Sequence, residues 1–156
     1  MDIPVINGDI TTAQTDVIAH CVNCQFVMGS GVAKALKEKW PEIYNNYINL
    51  GKTVTYNNSA EWLGYCQLVK LSNNNYCANL FGQNYYGRDG RQYISYDALK
   101  KSLLKLRKDM EVNNLQSVAF PYKIGAGLAG GDWQIISDII AGVFENTNIV
   151  VQFWKK

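Results

Sequence analysis

Residues 16–40, DVIAHCVNCQFVMGSGVAKALKEKW, fall into three parts. Val17 to Val22 is a short apolar run rich in β-branched residues, the pattern of a buried strand. Asn23 to Ser30 is a polar, glycine-containing loop. From Gly31 to Trp40 the apolar residues Val32, Leu36 and Trp40 recur at helical spacing, with Lys34, Lys37, Glu38 and Lys39 on the other face. Pro41 closes the element. A strand, a Gly-rich loop and a helix N-terminus together make an anion site, because first-turn N–H groups point outward and the helix dipole favours negative charge. Gly29 and Gly31 let the backbone approach a ligand with no Cβ in the way. The same spacing equally fits a tight strand-to-helix turn with no ligand.

A second stretch repeats the layout. Residues 117–131, SVAFPYKIGAGLAGG, contain an apolar strand (Val118 to Pro121) and then glycines at 125, 127, 130 and 131. Asp132 follows as a helix N-cap. Two such loops in one small chain point to a cleft that cradles a phosphorylated ligand. Neither loop carries a lysine in Walker spacing, so a P-loop nucleotide hydrolase is not supported.

The remaining chain supplies the frame. Ile3 to Ile6 reads as a strand ended by the Asn7-Gly8 turn, with Asp9 next. Residues 41–50 read as a helix that opens on Pro41 and is stopped by Gly51. Residues 51–60 are polar and read as a loop. Trp62 to Leu71 and Tyr76 to Phe81 read as a hairpin joined by Ser72 to Asn75. Residues 82–92, with Tyr85, Tyr86, Arg88 and Arg91, fit either an ordinary connection or a loop closing over the far end of a nucleotide. Residues 95–111 carry a helical stripe of Tyr96, Leu99, Leu103, Leu106 and Met110, with Ser95 as N-cap. A helix from Asp132 to about Glu145 and a strand from Ile149 to Trp154 complete the chain. Alternating strands and helices with one hairpin predict a three-layer α/β/α sandwich around a mixed, mostly parallel sheet. Ligands of such sheets bind at the carboxyl ends of the strands, where both Gly-rich loops lie.

Composition bounds the function. The 156 residues suit one domain, and 47% hydrophobic with 18% charged residues fits a globular chain. No apolar run approaches the roughly 20 residues that span a bilayer, so no membrane partner is expected. The opening MDIPVINGD lacks a basic region followed by an apolar stretch, which makes a cytoplasmic location the expectation. A net charge of +2 does not argue for nucleic acid as the partner. Cys21 and Cys24 have metal-ligand spacing, but His20 and Cys21 point to opposite faces of a strand and no second close pair exists, so a structural role is expected and no metal or other cofactor. A monomer is expected.

GDI at 8–10, DVIAHCVN at 16–23, MGSGVAK at 28–34 and GAGLAGGDW at 125–133 resemble the motifs of macrodomains in order and separation, over nearly the whole chain. Within that family the chain most resembles the ADP-ribose-1''-phosphate phosphatase branch, with the terminal ADP-ribose glycohydrolases as near relatives. The resemblance implies hydrolysis of the terminal phosphate of ADP-ribose 1''-phosphate to ADP-ribose and inorganic phosphate. A non-catalytic ADP-ribose reader and a hydrolase acting on ADP-ribosylated protein or nucleic acid are the alternatives.

The same resemblance implies the roles of single residues. Asp9 would accept a hydrogen bond from the adenine amino group, with Ile10 against the ring; without a ligand, Asp9 simply caps a turn. Asn23 would hold the distal ribose, or else cap its loop. Met28, Gly29, Ser30, Gly31 and Val32 would surround the terminal phosphate, and Gly125, Ala126, Gly127, Leu128 and Ala129 the diphosphate. His20 matches the catalytic histidine proposed for the phosphatase branch, acting as base or acid with Asn23 beside it; otherwise it is a buried core histidine. The glycohydrolase lysine and aspartate positions hold Gly82 or Gln83, and Ala129. The aspartate of hydrolases that act on acidic side chains is replaced by Ala33.

Overall fold

In the computed structural model, residues 1–29, 31–53 and 59–156 are described. Ser30 and residues 54–58, part of the loop expected at 51–60, lie outside the described residues. The elements are β1 (Val5–Asn7), β2 (Val17–Asn23), α1 (Gly31–Lys39), α2 (Pro41–Gly51), β3 (Cys66–Lys70), β4 (Tyr76–Gln83), α3 (Tyr96–Val112), β5 (Ser117–Pro121), α4 (Trp133–Phe144) and β6 (Val150–Lys155). They form a six-stranded sheet in the order β1-β6-β5-β2-β4-β3. All pairings are parallel except the β3–β4 hairpin.

Strand alternation sends side chains to two cores. On one face, Ile18, Val22, Phe81 and Ala119 pack against Leu36 of α1 and Ile43 and Tyr47 of α2. On the other, Val17, Ala19, Leu80, Val118 and Phe120 pack against Leu99, Leu103 and Leu106 of α3 and Ile136, Ile140 and Phe144 of α4. This is the expected three-layer sandwich. Each fully buried leucine or phenylalanine contributes about 1.5–3 kcal/mol through the apolar area it removes from water. The helix starts are capped as the sequence implies. Ser95 Oγ accepts the Ala98 N–H at 3.2 Å, and Asp132 Oδ1 accepts the N–H groups of Gln134 at 2.8 Å and Ile135 at 3.4 Å.

The hairpin departs from expectation at one end. Trp62 does not begin a strand; it ends a 3-10 turn over Ser59–Trp62. The N–H groups of Leu63 and Tyr65 donate back to Ala60 and Trp62, and Gly64 turns through φ +91° before β3 opens at Cys66. The Trp62 ring packs 4.9 Å from that of Tyr65, so its apolar surface is covered without strand pairing. Among the described residues no helix is long and apolar enough to cross a membrane.

A polar row crosses the sheet beneath the ligand edge. His20 on β2, Asn79 on β4 and Gln67 on β3 are register partners. Asn79 Nδ2 donates to Gln67 Oε1 at 3.1 Å, leaving Asn79 Oδ1 to accept from His20 Nε2 at 2.6 Å. The imidazole therefore carries its proton on Nε2 and a lone pair on Nδ1. Burial of the ring lowers its pKa from 6.5 to about 4, against the opposing effect of its hydrogen bond to Asn79. Between those pH values the unfolded chain binds a proton that the folded chain refuses. Stability should therefore fall by roughly 3 kcal/mol as pH drops from about 6.5 to about 4, and be independent of this group above pH 7. Urea unfolding across pH 4–7 measures the slope. His20 is the single histidine, so His20→Gln should flatten the upper part of that window; an unchanged slope there would assign the effect to carboxylates instead.

Candidate functional site

The carboxyl ends of β2, β4 and β5 open into a cavity of about 420 Å³, within the range of small-molecule sites. Its wall includes His20 and Asn23 of β2, Met28, Gly29, Gly31 and Val32 of the first loop, and Gly125, Gly127, Leu128 and Ala129 of the second. Two Gly-rich loops about 100 residues apart in sequence thus face one space, as parallel pairing of β2 with β5 requires. The first-turn N–H groups of α1 lack intrahelical acceptors by helix geometry. In the second loop the N–H groups of Gly125, Gly127, Leu128 and Ala129 have no acceptor among the described residues. Together they form a concave array of donors suited to an anion.

Several expected residues sit otherwise. The N–H of Ala126 donates to Lys123 O at 2.9 Å and its side chain packs on the α3–α4 core, so Ala126 does not line the cavity. Asp9 and Ile10 are also outside the lining. Ile10 is buried in the α1–α2 core. Asp9 caps the 3-10 turn Ile10–Thr12, accepting the Thr11 N–H and hydroxyl at 2.9 Å each on Oδ1. Those bonds, with Lys156 Nζ 3.5 Å from Oδ2, hold its carboxyl below the usual carboxylate range.

Asn23 is committed to its own loop. Its Nδ2 donates to Val27 O at 2.9 Å, and its Oδ1 accepts the N–H groups of Gln25 at 3.0 Å and Val27 at 3.3 Å. The buried Tyr47 hydroxyl reaches both its backbone carbonyl and its Oδ1. The loop-capping role is thus realised, and one N–H of the amide is left for a ligand. His20 is 2% exposed, and its Nδ1 is buried with no hydrogen-bond partner among the described residues. Among the described residues no three of His, Cys, Asp and Glu converge as a metal site would need, and all four cysteines are free thiols.

The structure adds a third wall that the sequence left open. Gln83 at the end of β4 and Tyr86, Gly87 and Arg88 after it line the cavity, and Lys123 lines it from the β5 side. The aromatic and arginine content of residues 82–92 was the available signal; which side chains reach the cavity depends on the tertiary contacts. No carboxylate is found among the described lining residues.

The second-loop glycines divide by function. At Gly125, φ is +75° and an added Cβ would lie 2.8 Å from Ile94 Cδ1, whereas at Gly127 nothing lies within 4 Å. Gly125→Ala should therefore cost about 1–3 kcal/mol of stability. Gly127→Val should melt within a few degrees of the parent yet lose about tenfold or more in affinity for ADP-ribose, the ligand implied by the sequence. Thermal melting and calorimetry test the pair, and normal binding by folded Gly127→Val would make this loop purely structural.

Comparison with known proteins agrees with the fold. The Macro domain family model matches residues 19–140. An uncharacterised 17.5 kDa protein of Enterobacteria phage T4 is 30% identical, the match covering 99% of this chain and 98% of that protein. The ADP-ribose glycohydrolase OARD1 of Bos taurus is 26% identical over 94% of this chain and 87% of its own length. A solved protein of unknown function from Bacteroides thetaiotaomicron superposes with a TM-score of 0.84 at 32% identity, covering 100% of this chain and 99% of its own. With the family model matching most of the chain, and the sheet order, loop pair and cavity in place, the chain belongs to the macro domain family.

Proposed function

We propose that the protein binds ADP-ribose 1''-phosphate in this cavity and hydrolyses its terminal phosphate ester. The observation that carries the reading is the chemistry of the wall: free N–H groups, two cations (Arg88 and Lys123), one imidazole, and no carboxylate among the described lining residues. Such a wall suits a polyanion. Cleavage of a glycosidic bond instead calls for an acidic group beside an oxocarbenium-like centre. Gly82 or Gln83, and Ala129, stand where the glycohydrolase resemblance would require lysine and aspartate.

In this hydrolysis, a water oxygen attacks phosphorus and gives its proton to His20 Nδ1, an atom that is buried in the structure and must be uncovered for the step. The bond from phosphorus to the ribose 1''-oxygen breaks, and that oxygen leaves as a hydroxyl after taking a proton from the imidazolium or solvent. The products are ADP-ribose and inorganic phosphate. A neutral His20 with its lone pair on Nδ1 suits the base role. An imidazole of pKa about 4 is protonated too little at neutral pH to start as the acid.

A second reading has its own support. Burial of Nδ1 and its low basicity would also suit a binding module that retains ADP-ribose without turnover. Incubation with ADP-ribose 1''-phosphate and separation of the nucleotide products distinguishes the two. Phosphate release with ADP-ribose formation is expected; tight binding with no product would establish the module instead.

Two variants extend the test. His20→Ala, if folded, should keep ADP-ribose affinity and lose about 10²–10⁴-fold in phosphate release. With His20 as base, kcat/KM corrected for the substrate's own phosphate ionisation should be level from pH 6 to 8 and fall only toward about pH 4; near-parental turnover in the variant would remove His20 from the chemistry. Asp9→Ala should weaken ADP-ribose by about 1–3 kcal/mol through loss of a charge-assisted bond. Asp9→Asn, which retains the turn cap, should show a loss of the same sense. Equal calorimetric affinities for Asp9→Asn, Asp9→Ala and the parent would dissociate Asp9 from the adenine.

A further inference from the structure

The loop after β4 is fastened at both ends to the two Gly-rich loops. At its start, the Cys24 N–H donates to the carbonyls of Gln83 at 3.1 Å and Asn84 at 3.0 Å, and Gln25 Nε2 donates to Asn84 Oδ1 at 3.1 Å. At its end, the N–H groups of Tyr93 and Ile94 donate to Ala129 O at 2.7 and 3.1 Å. A Cβ on Gly130 would lie 2.4 Å from Arg91 O, so the two loops are in backbone contact. This is a built wall.

Its charges are arranged unequally. Asp89 accepts the Tyr93 hydroxyl at 2.8 Å and the Arg91 N–H at 3.2 Å on Oδ1, and pairs with Arg91 Nε at 3.1 Å through Oδ2. The Tyr93 hydroxyl packs against Gly87, where a Cβ would meet it at 2.3 Å. The single carboxylate of the loop is therefore engaged by Arg91 and Tyr93. Arg88, next to Gly87, has no acceptor among the described residues and lines the cavity.

Strand order says which end of a ligand meets it. Asp9 follows β1, beside the carboxyl end of β6. The diphosphate loop follows β5, the loop of Asn23 follows β2, and the Arg88 loop follows β4, in that spatial order. A dinucleotide-like ligand with adenine toward Asp9 reaches Arg88 with its opposite end. We infer that Arg88 is the specificity residue for a phosphate monoester on the distal ribose, discriminating the phosphorylated ligand from ADP-ribose itself. The inference rests on the proposed orientation and substrate, and a planar guanidinium with free donors is the side chain best shaped for a terminal phosphate. Lys123, on the β5 side, faces the part of the ligand that both molecules share.

The test compares two ligands against Arg88→Gln, Arg88→Lys and Lys123→Gln. ADP-ribose affinity is read by calorimetry. ADP-ribose 1''-phosphate is read by KM and kcat if it turns over, and by calorimetry if it does not, so the binding claim survives failure of the phosphatase reading. Arg88→Gln should leave ADP-ribose within about twofold and weaken the phosphorylated ligand roughly 10- to 100-fold, the range of a charge-assisted pair. Arg88→Lys should recover part of that loss, and Lys123→Gln should weaken both ligands alike. Equal losses for both ligands in Arg88→Gln, or no loss for the phosphorylated one, would overturn the assignment even if phosphate release is observed. Phosphate selectivity lost in Arg88→Gln without any turnover would sustain it while removing the phosphatase reading.

Discussion

The arrangement depends on β2 being hydrogen-bonded in parallel on both edges. Val17 is the register partner of Val118 in β5 on one side and of Tyr76 in β4 on the other. Three strands running the same way must release their chains at the same edge of the sheet, and there the ladder no longer takes up every N–H. Buried or half-buried donors without acceptors are costly unless water or a ligand meets them. Backbone pairing thus concentrates donors at one edge, and four of those in the second loop have no acceptor among the described residues. The cavity is a consequence of strand direction before any side chain is considered.

Side chains then divide the work between scaffold and chemistry. Asn23 and Tyr47 hold the first loop, with the amide accepting two backbone N–H groups and donating to a carbonyl four residues on. Replacement of that amide would release the loop as well as any ligand contact, so its effect on activity alone would not separate the two. His20 is positioned differently. Gln67 orients Asn79, Asn79 orients the imidazole, and the result is a neutral ring whose Nδ1 has no partner among the described residues. A dianion brought close would raise the ring's proton affinity, since an opposite charge nearby favours imidazolium.

Ala33, Gln83 and Ala129 all line the cavity, and none carries a charge. The cations on the wall are Arg88 and Lys123, neither in an ion pair among the described residues. A wall of that sign favours phosphate over a developing positive charge, which is the physical basis for separating the two chemistries proposed for such cavities.

What the sequence determined by itself was local. The apolar run of β2, the stripe of α3, the caps Ser95 and Asp132, and the glycines of both loops act over a few residues, through alternation, helical period and side-chain-to-backbone bonds. The sandwich, the cleft and the candidates His20, Asn23, Gly29, Gly31, Gly125 and Gly127 followed from those signals and the motif resemblance. Trp62 was misplaced because β-propensity does not register a turn closed by Gly64 and aromatic packing. The tertiary structure alone decided which groups are free to act. His20 meets Asn79 across 59 positions and Asn23 meets Tyr47 across 24, and those contacts set the protonation of one and the orientation of the other. The Ala126 N–H is taken by Lys123 O and the residue stands outside the cavity lining, whereas Arg88 lines it and the neighbouring Asp89 is engaged by Arg91 and Tyr93. Hydrogen-bond saturation and burial are properties of the packed chain, so no periodicity in the sequence carries them.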